Sequence, residues 1–221
     1  LLEQAKFTAI KPETVQSYEI GYRGVIGRKL LIDAYYYFSR YNDFLSRIAV
    51  ARGSSGNPSN AAVELANPGT TENLSFPVNS GNTVKATGWG LSLDYQLPAN
   101  FVFSSNISGD QLTNADPGTI TFFNTPKLRY NIGISNNKVL GHFGFNFIYR
   151  WQDKIDWQGT FGSGQIPAYG TLDGQISYHL KGNRHLVKLG ASNLLNNYYR
   201  SAFGNPYVGG VYYFSFGYNI F

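Results

Sequence analysis

Three histidines, His142, His179 and His185, are the chain's whole imidazole complement, and no cysteine accompanies them. A histidine metal centre or a Ser–His nucleophile would need ligands that converge and a third group to orient them. The three lie near the short-turn ends of adjacent segments, where they could approach one another, but they read better as polar residues of turns and of an inner wall. Without Cys there are no thiol catalysts, Cys-based zinc sites or disulfide frameworks. Asp33, Asp94 and Asp173 could be taken for acid/base carboxylates, yet no spacing forces two of them together as that chemistry requires. The glycines at 159, 162 and 164 and at 204, 209 and 210 invite a phosphate-loop reading. Neither set carries GxxxxGK(S/T) between a buried strand and a helix, so loop freedom is the better account. The aromatics of the polar stretches are the best candidates for touching a ligand: Phe122, Phe123, Trp157, Phe161 and Phe203. Exposed rings stack on sugars, chelators or peptides, without saying which. No enzyme activity and no cofactor are expected.

The elements that must position these residues follow from composition and period. Of 221 residues only 14% are charged, while 17 Tyr, 16 Phe and 3 Trp make the chain rich in aromatics. Soluble domains carry roughly a quarter charged residues, and disordered chains have few aromatics. The net charge of +5 is scattered without basic runs, which excludes a nucleic-acid partner. No apolar run approaches the ~18 residues of a spanning helix, whereas spanning strands alternate and leave no such run. The chain opens on Leu1-Leu2-Glu3-Gln4 and contains no Met, and it is read as an internal or C-terminal piece of something longer.

Period two dominates. Trp89, Leu91, Leu93, Tyr95 and Leu97 alternate with polar or small residues, as do Tyr130, Ile132 and Ile134, then Phe143 to Trp151, then Tyr212 to Ile220. Nine strands are predicted, at about 14–26, 29–45, 83–97, 100–109, 126–136, 138–152, 166–180, 185–194 and 208–221. Tight connections at 27–29, 98–100, 136–138 and 181–184 alternate strictly with long ones at 52–82, 110–125, 153–165 and 195–207. That is the habit of an all-β, antiparallel up-and-down transmembrane barrel, with short periplasmic turns and long outer loops. The apolar face is expected to meet outer-membrane lipid, with Trp89 and Trp151 as interface anchors. The other face should line the lumen, and a turn at 27–29 sets Arg23 opposite Asp33 and Glu19 opposite Tyr37 there. The Arg23–Asp33 pair reads as structural. Nine is odd, and single-chain bacterial barrels have even counts. A hairpin inside 52–82 keeps that parity and only a strand in Leu1–Ile10 changes it.

KPE at 11–13, SYEIGYRG at 17–24, KLLIDAYYYFSRYNDF at 29–44, SNLLNNYYR at 192–200 and GGVYYFSFGYNIF at 209–221 follow one another in an order that resembles the late barrel of TonB-dependent outer-membrane receptors. The style is most similar to receptors of Bacteroidota, although Phe221 sits one residue beyond the apolar register that ends on Ile220. The resemblance implies that residues 1–221 are the C-terminal part of the barrel, about nine strands of 22, with the plug domain and N-terminal strands absent. It further implies a receptor in the outer membrane of a Gram-negative bacterium. This receptor would take up a scarce solute (ferric siderophore, cobalamin, glycan or peptide) with energy supplied by TonB through the absent N-terminal region. Its own plug, its remaining strands and a surface lipoprotein would be its partners. The alternative is a self-contained small outer-membrane barrel acting as hydrolase, adhesin or passive pore.

Overall fold

The computed structural model describes residues 8–159, 162–180 and 185–218. In chain order the strands are β1 (Thr14–Ile26), β2 (Leu30–Asn42), β3 (Leu45–Gly53), β4 (Thr71–Asn79), β5 (Val84–Gln96), β6 (Phe101–Thr113), β7 (Thr119–Ile120), β8 (Arg129–Val139), β9 (Phe143–Gln152), β10 (Ile155–Trp157), β11 (Gly164–Ile166), β12 (Tyr169–Leu180), β13 (His185–Ser192) and β14 (Val211–Tyr218). Nine of them form one antiparallel sheet in the order β1-β2-β5-β6-β8-β9-β12-β13-β14, each neighbour in space being the next wall strand in sequence. This is an up-and-down barrel wall.

Turn chemistry explains the register. Gly27 and Arg28 both have φ of 58°, and the Lys29 N–H closes the turn on the Ile26 carbonyl at 3.1 Å. Two consecutive left-handed residues match the twist of a hairpin, which ordinary turns would splay. Ala99-Asn100 and Leu140-Gly141 repeat the device at the next described short turns. From the first turn, Arg23 stands opposite Asp33 and Glu19 opposite Tyr37. Alternation then sorts the whole sheet. One row across the strands reads Tyr22, Ala34, Leu91, Ile107, Tyr130 and Trp151, and the row beside it on the other face reads Arg23, Asp33, Ser92, Asn106, Asn131 and Arg150. Tyr130 and Trp151 stack at 5.3 Å on the apolar face.

That apolar face has no second layer over it among the described residues. Ile20 is 73% and Phe214 67% exposed, and the buried apolar side chains among the described residues are only Val84, Ala86, Ile155, Ile166 and Ala191. Packing on a core therefore does not select these strands. Their apolar alternation is matched to a hydrocarbon surround.

Three expected boundaries are corrected. The turn placed at 136–138 lies at Leu140–His142, because Asn136 is buried and spends its amide on the Ala99 carbonyl and the Lys138 N–H, both at 2.8 Å. The chain bulges between Asn136 and Val139 and continues as strand. The strand expected to stop at 109 runs to Thr113, and the one expected over 29–45 stops at Asn42.

The long connections are built, not loose. β3 and β4 form a hairpin with the short helix α1 (Ala61–Leu65) between them, β7 adds to its side, and β10 pairs with β11. The β3–β4 hairpin begins at Leu45, ahead of the 52–82 connection in which a hairpin was expected to keep the parity, and it stands in a separate sheet from the wall, which has nine strands among the described residues. Asp43, at φ 52°, turns the chain out of the wall, and the Glu13 carboxylate accepts the freed Leu45 N–H at 2.8 Å. The Asn79 amide bridges the Lys11 backbone on both sides, at 2.7 and 2.9 Å. The KPE segment thus anchors the excursion to the rim. Several expectations fall outside the described residues: the tenth-strand question for 1–7, the ring of Phe161, the turn at 181–184, and Ile220 with Phe221.

Candidate functional site

The polar face carries a chain of charge-assisted contacts toward its long-loop end. The Tyr37 hydroxyl donates to Asp110 Oδ1 at 2.8 Å, and Arg129 reaches Asp110 Oδ2 at 3.2 Å while its Nε donates to Ser108 at 3.0 Å. The Tyr37 ring lies across Gly88, where a Cβ would strike both that ring and the Asp110 carboxylate. Glycine is what lets the hydroxyl reach. On the next two wall strands, Arg150 pairs with Asp173 Oδ2 at 2.8 Å, and Asp173 Oδ1 accepts Ser192 Oγ at 3.2 Å and the Asn193 N–H at 2.9 Å. Arg23 and Asp33 pair more loosely, at 3.7 Å.

Two hollows adjoin at this end. The inner one, about 260 Å³, is lined by Arg129, Asn131, Arg150, Thr171, Asp173 and Ser192, with Tyr169 and Tyr199 at its edge. The outer one, about 250 Å³, is lined by Gln165, Tyr198, Arg200, Phe203 and Tyr207, and shares Tyr169 and Tyr199 with the first. Those two rings stack at 4.3 Å and partition the hollows. Tyr199 is fixed from behind by a two-bond backbone bridge to Val208. The pair can present a flat apolar surface on one side and a hydrogen-bonding, charge-balanced surface on the other.

The loop aromatics gather around the β10–β11 hairpin. Gln158 Oε1 accepts Thr121 N at 2.8 Å, Thr121 Oγ1 at 3.1 Å and Phe122 N at 3.2 Å. Asn124 and Gln158 exchange a second pair of bonds, both 2.8 Å, so that two loops distant in sequence move as one. Phe122 is 40% exposed and held at φ 55°, a conformation that costs a bulky residue of order 1–3 kcal/mol unless its surroundings impose it. Phe123 and Trp157 are half-buried beside it, and Phe203 packs over Gly164. Gln158→Leu removes the acceptor of three donors. The 119–125 loop is expected to become cleavable by protease at least several-fold faster in the folded protein, while Gln158→Glu keeps the acceptor and the protection.

The other sequence candidates separate. The His179 N–H donates to the His142 carbonyl at 3.0 Å, which joins these two residues through backbone. His185 sits across from Tyr218 on the apolar face, stacked at 4.7 Å, while His179 alternates to the polar face. No three His, Asp or Glu side chains gather at metal-binding range among the described residues. Asp33 pairs across to Ser92, two residues from Asp94 on the same face, and Asp173 is committed to Arg150. Sequence reasoning missed Asp110, Arg129, Arg150 and Arg200. Asp110 stands in GDQLTNADPG, a string of turn formers, and its place on the wall depends on Tyr37 and Arg129 arriving from other strands. No local signal marks Arg200.

Comparison with known families matches residues 4–194 to the family described as TonB dependent receptor-like, beta-barrel. Among solved structures the chain is similar to the copper transporter OprC (TM-score 0.67, 17% identity, 96% of this chain and 32% of that one). It is also similar to the siderophore receptor PirA from Acinetobacter baumannii (TM-score 0.62, 14% identity, 95% and 32%). The FrpB iron transporter from Neisseria meningitidis is a third (TM-score 0.61, 16% identity, 93% and 32%). The chain spans about a third of the length of these structures. Comparison with curated protein sequences gives no match.

Proposed function

The chain belongs to the TonB-dependent receptor β-barrel family, and from that premise we propose that it is the C-terminal barrel portion of an outer-membrane receptor of a Gram-negative bacterium. This receptor imports a scarce solute with energy delivered through TonB. The observation that carries the reading is the two-faced wall. One face is apolar, with exposed large apolar side chains on eight of the nine wall strands, as lipid contact requires, and the other is a polar surface carrying ion pairs, as a plugged, wet lumen requires. The long connections then form the outer mouth, where the two hollows and the aromatic hairpin cluster meet an arriving solute. The plug, the remaining strands, the TonB contact and a surface lipoprotein lie in the rest of the assembly, and the aromatic style of the strands suits a Bacteroidota source. No observation favours a self-contained barrel acting as hydrolase, adhesin or pore.

Whole cells producing the full-length receptor test this reading. Offered ferric chelates, cobalamin, glycans and peptides, they are expected to accumulate one class, only while the inner membrane is energised and TonB is present. Accumulation that survives an uncoupler would replace the reading by a passive pore. Breakdown of the solute without uptake would replace it by an enzyme.

A further inference from the structure

Arg200 differs from the four arginines that stand in ion pairs. Arg23, Arg129 and Arg150 each face a carboxylate, and so does Arg52 at 2.8 Å from Glu72. Arg200 has no carboxylate within ion-pairing distance among the described residues, and its Nε is shielded from solvent without a hydrogen-bond partner. Its guanidinium carbon lies 4.1 Å from the centre of the Tyr207 ring. A guanidinium stacked on a tyrosine is held in one plane and is stripped of water on that face, yet keeps its full charge and in-plane donors.

The surroundings narrow the acceptor. The outer hollow, about 250 Å³, is walled by Phe203 and by the stacked Tyr169–Tyr199 pair. Flat aromatic walls suit a flat ring, and one cation suits one negative charge. The planar fork of a guanidinium matches a carboxylate in two parallel bonds. Phe203 is itself seated over Gly164, where a Cβ would collide with its ring, so this wall is set by backbone packing.

We propose that the outer hollow is a recognition subsite for a carboxylate carried on an aromatic ring, with Arg200 as the specificity-determining residue and Tyr207 holding its guanidinium flat. The assignment deepens the uptake reading and rests on it for the hollow's access to the cell exterior.

The test is saturation-transfer NMR on the full-length receptor in detergent, with benzoate and its neutral isostere benzamide as probes. Benzoate is expected to bind at least about tenfold more tightly than benzamide, the scale of one charge-assisted bond. Arg200→Gln is expected to abolish that preference, and Tyr207→Leu to weaken benzoate several-fold. Equal binding of the two probes to the unsubstituted receptor would overturn the proposal without recourse to any variant, as would an unchanged preference in a folded Arg200→Gln. Benzoate preference in a receptor that shows no energised uptake would sink the transport reading and leave the subsite standing. Energised uptake with no benzoate preference would do the reverse.

Discussion

Replacing Ile132 with arginine is expected to lower the folding stability of the barrel in lipid vesicles by about 1–3 kcal/mol, the cost of a cation facing hydrocarbon between the interface and the bilayer midplane. Ile132 is the fourth of eleven residues in β8, one step in from the Tyr130–Trp151 pair, in a row with Leu93, Ser105, Tyr149 and Leu172 on the apolar face. Its sequence neighbour Asn131 points to the other face, where its amide donates to Asn106 at 2.9 Å. Asn131→Arg gives up that neutral bond and gains a solvated cation, and is expected to cost under about 1 kcal/mol. Urea titration of the folded receptor, followed by its heat-modifiable mobility, reads both. The contrast matters more than either value. If the two variants lose stability equally, the assignment of the apolar face to lipid is wrong.

Asp173→Ala should be the most damaging change on the polar face, at about 1.5–3 kcal/mol, the range for hydrogen bonds to a charged group. Its carboxylate is the common acceptor for Arg150, Ser192 and the Asn193 N–H, and it is largely covered, with 18% of its side chain exposed. Asn193 in turn is buried and exchanges two bonds with Asn197, at 2.7 and 3.0 Å, so it carries the start of the last long connection. Loss of Asp173 is therefore expected to loosen residues 195–207 as well as the wall, seen as early proteolysis there below the unfolding midpoint. Asp33→Ala is the control. Its partner is 3.7 Å away, both side chains are nearly half or more exposed, and such surface pairs are worth 0–1 kcal/mol. Equal losses for Asp33→Ala and Asp173→Ala would mean that the Asp173 cluster carries no special weight.

The wall was legible because alternation is a local property. Any window such as Trp89 to Tyr95 declares its faces, and Gly27-Arg28 declares a hairpin whose register can be counted residue by residue. Legibility failed where one residue plays against its type. Asn136-Asn137 looks like a turn, but Asn136 is buried and satisfies itself across the strand gap, which pushes the turn to Leu140-Gly141. The β3–β4 hairpin begins at Leu45, ahead of the 52–82 connection, because Asp43 turns the chain out of the wall through its left-handed φ and the pairing is then made in a separate sheet. In the candidate site, Trp157 and Phe203 could be named as exposed loop aromatics, since composition alone suggests that. Gln158, Asp110 and Arg200 could not, because each owes its role to partners from other loops or strands, and one of those, Tyr37, lies 73 residues from Asp110.

The matched arginines of the wall also govern how a solute would feel the passage. Arg23, Arg129 and Arg150 each sit against a carboxylate on the adjacent strand, so each site is a short dipole whose potential fades within a few ångströms. These paired sites do not draw ions from a distance, as a ring of like charge would. An ion held at the inner hollow would therefore be held by contact and fit, and its affinity there should change little between dilute and concentrated salt.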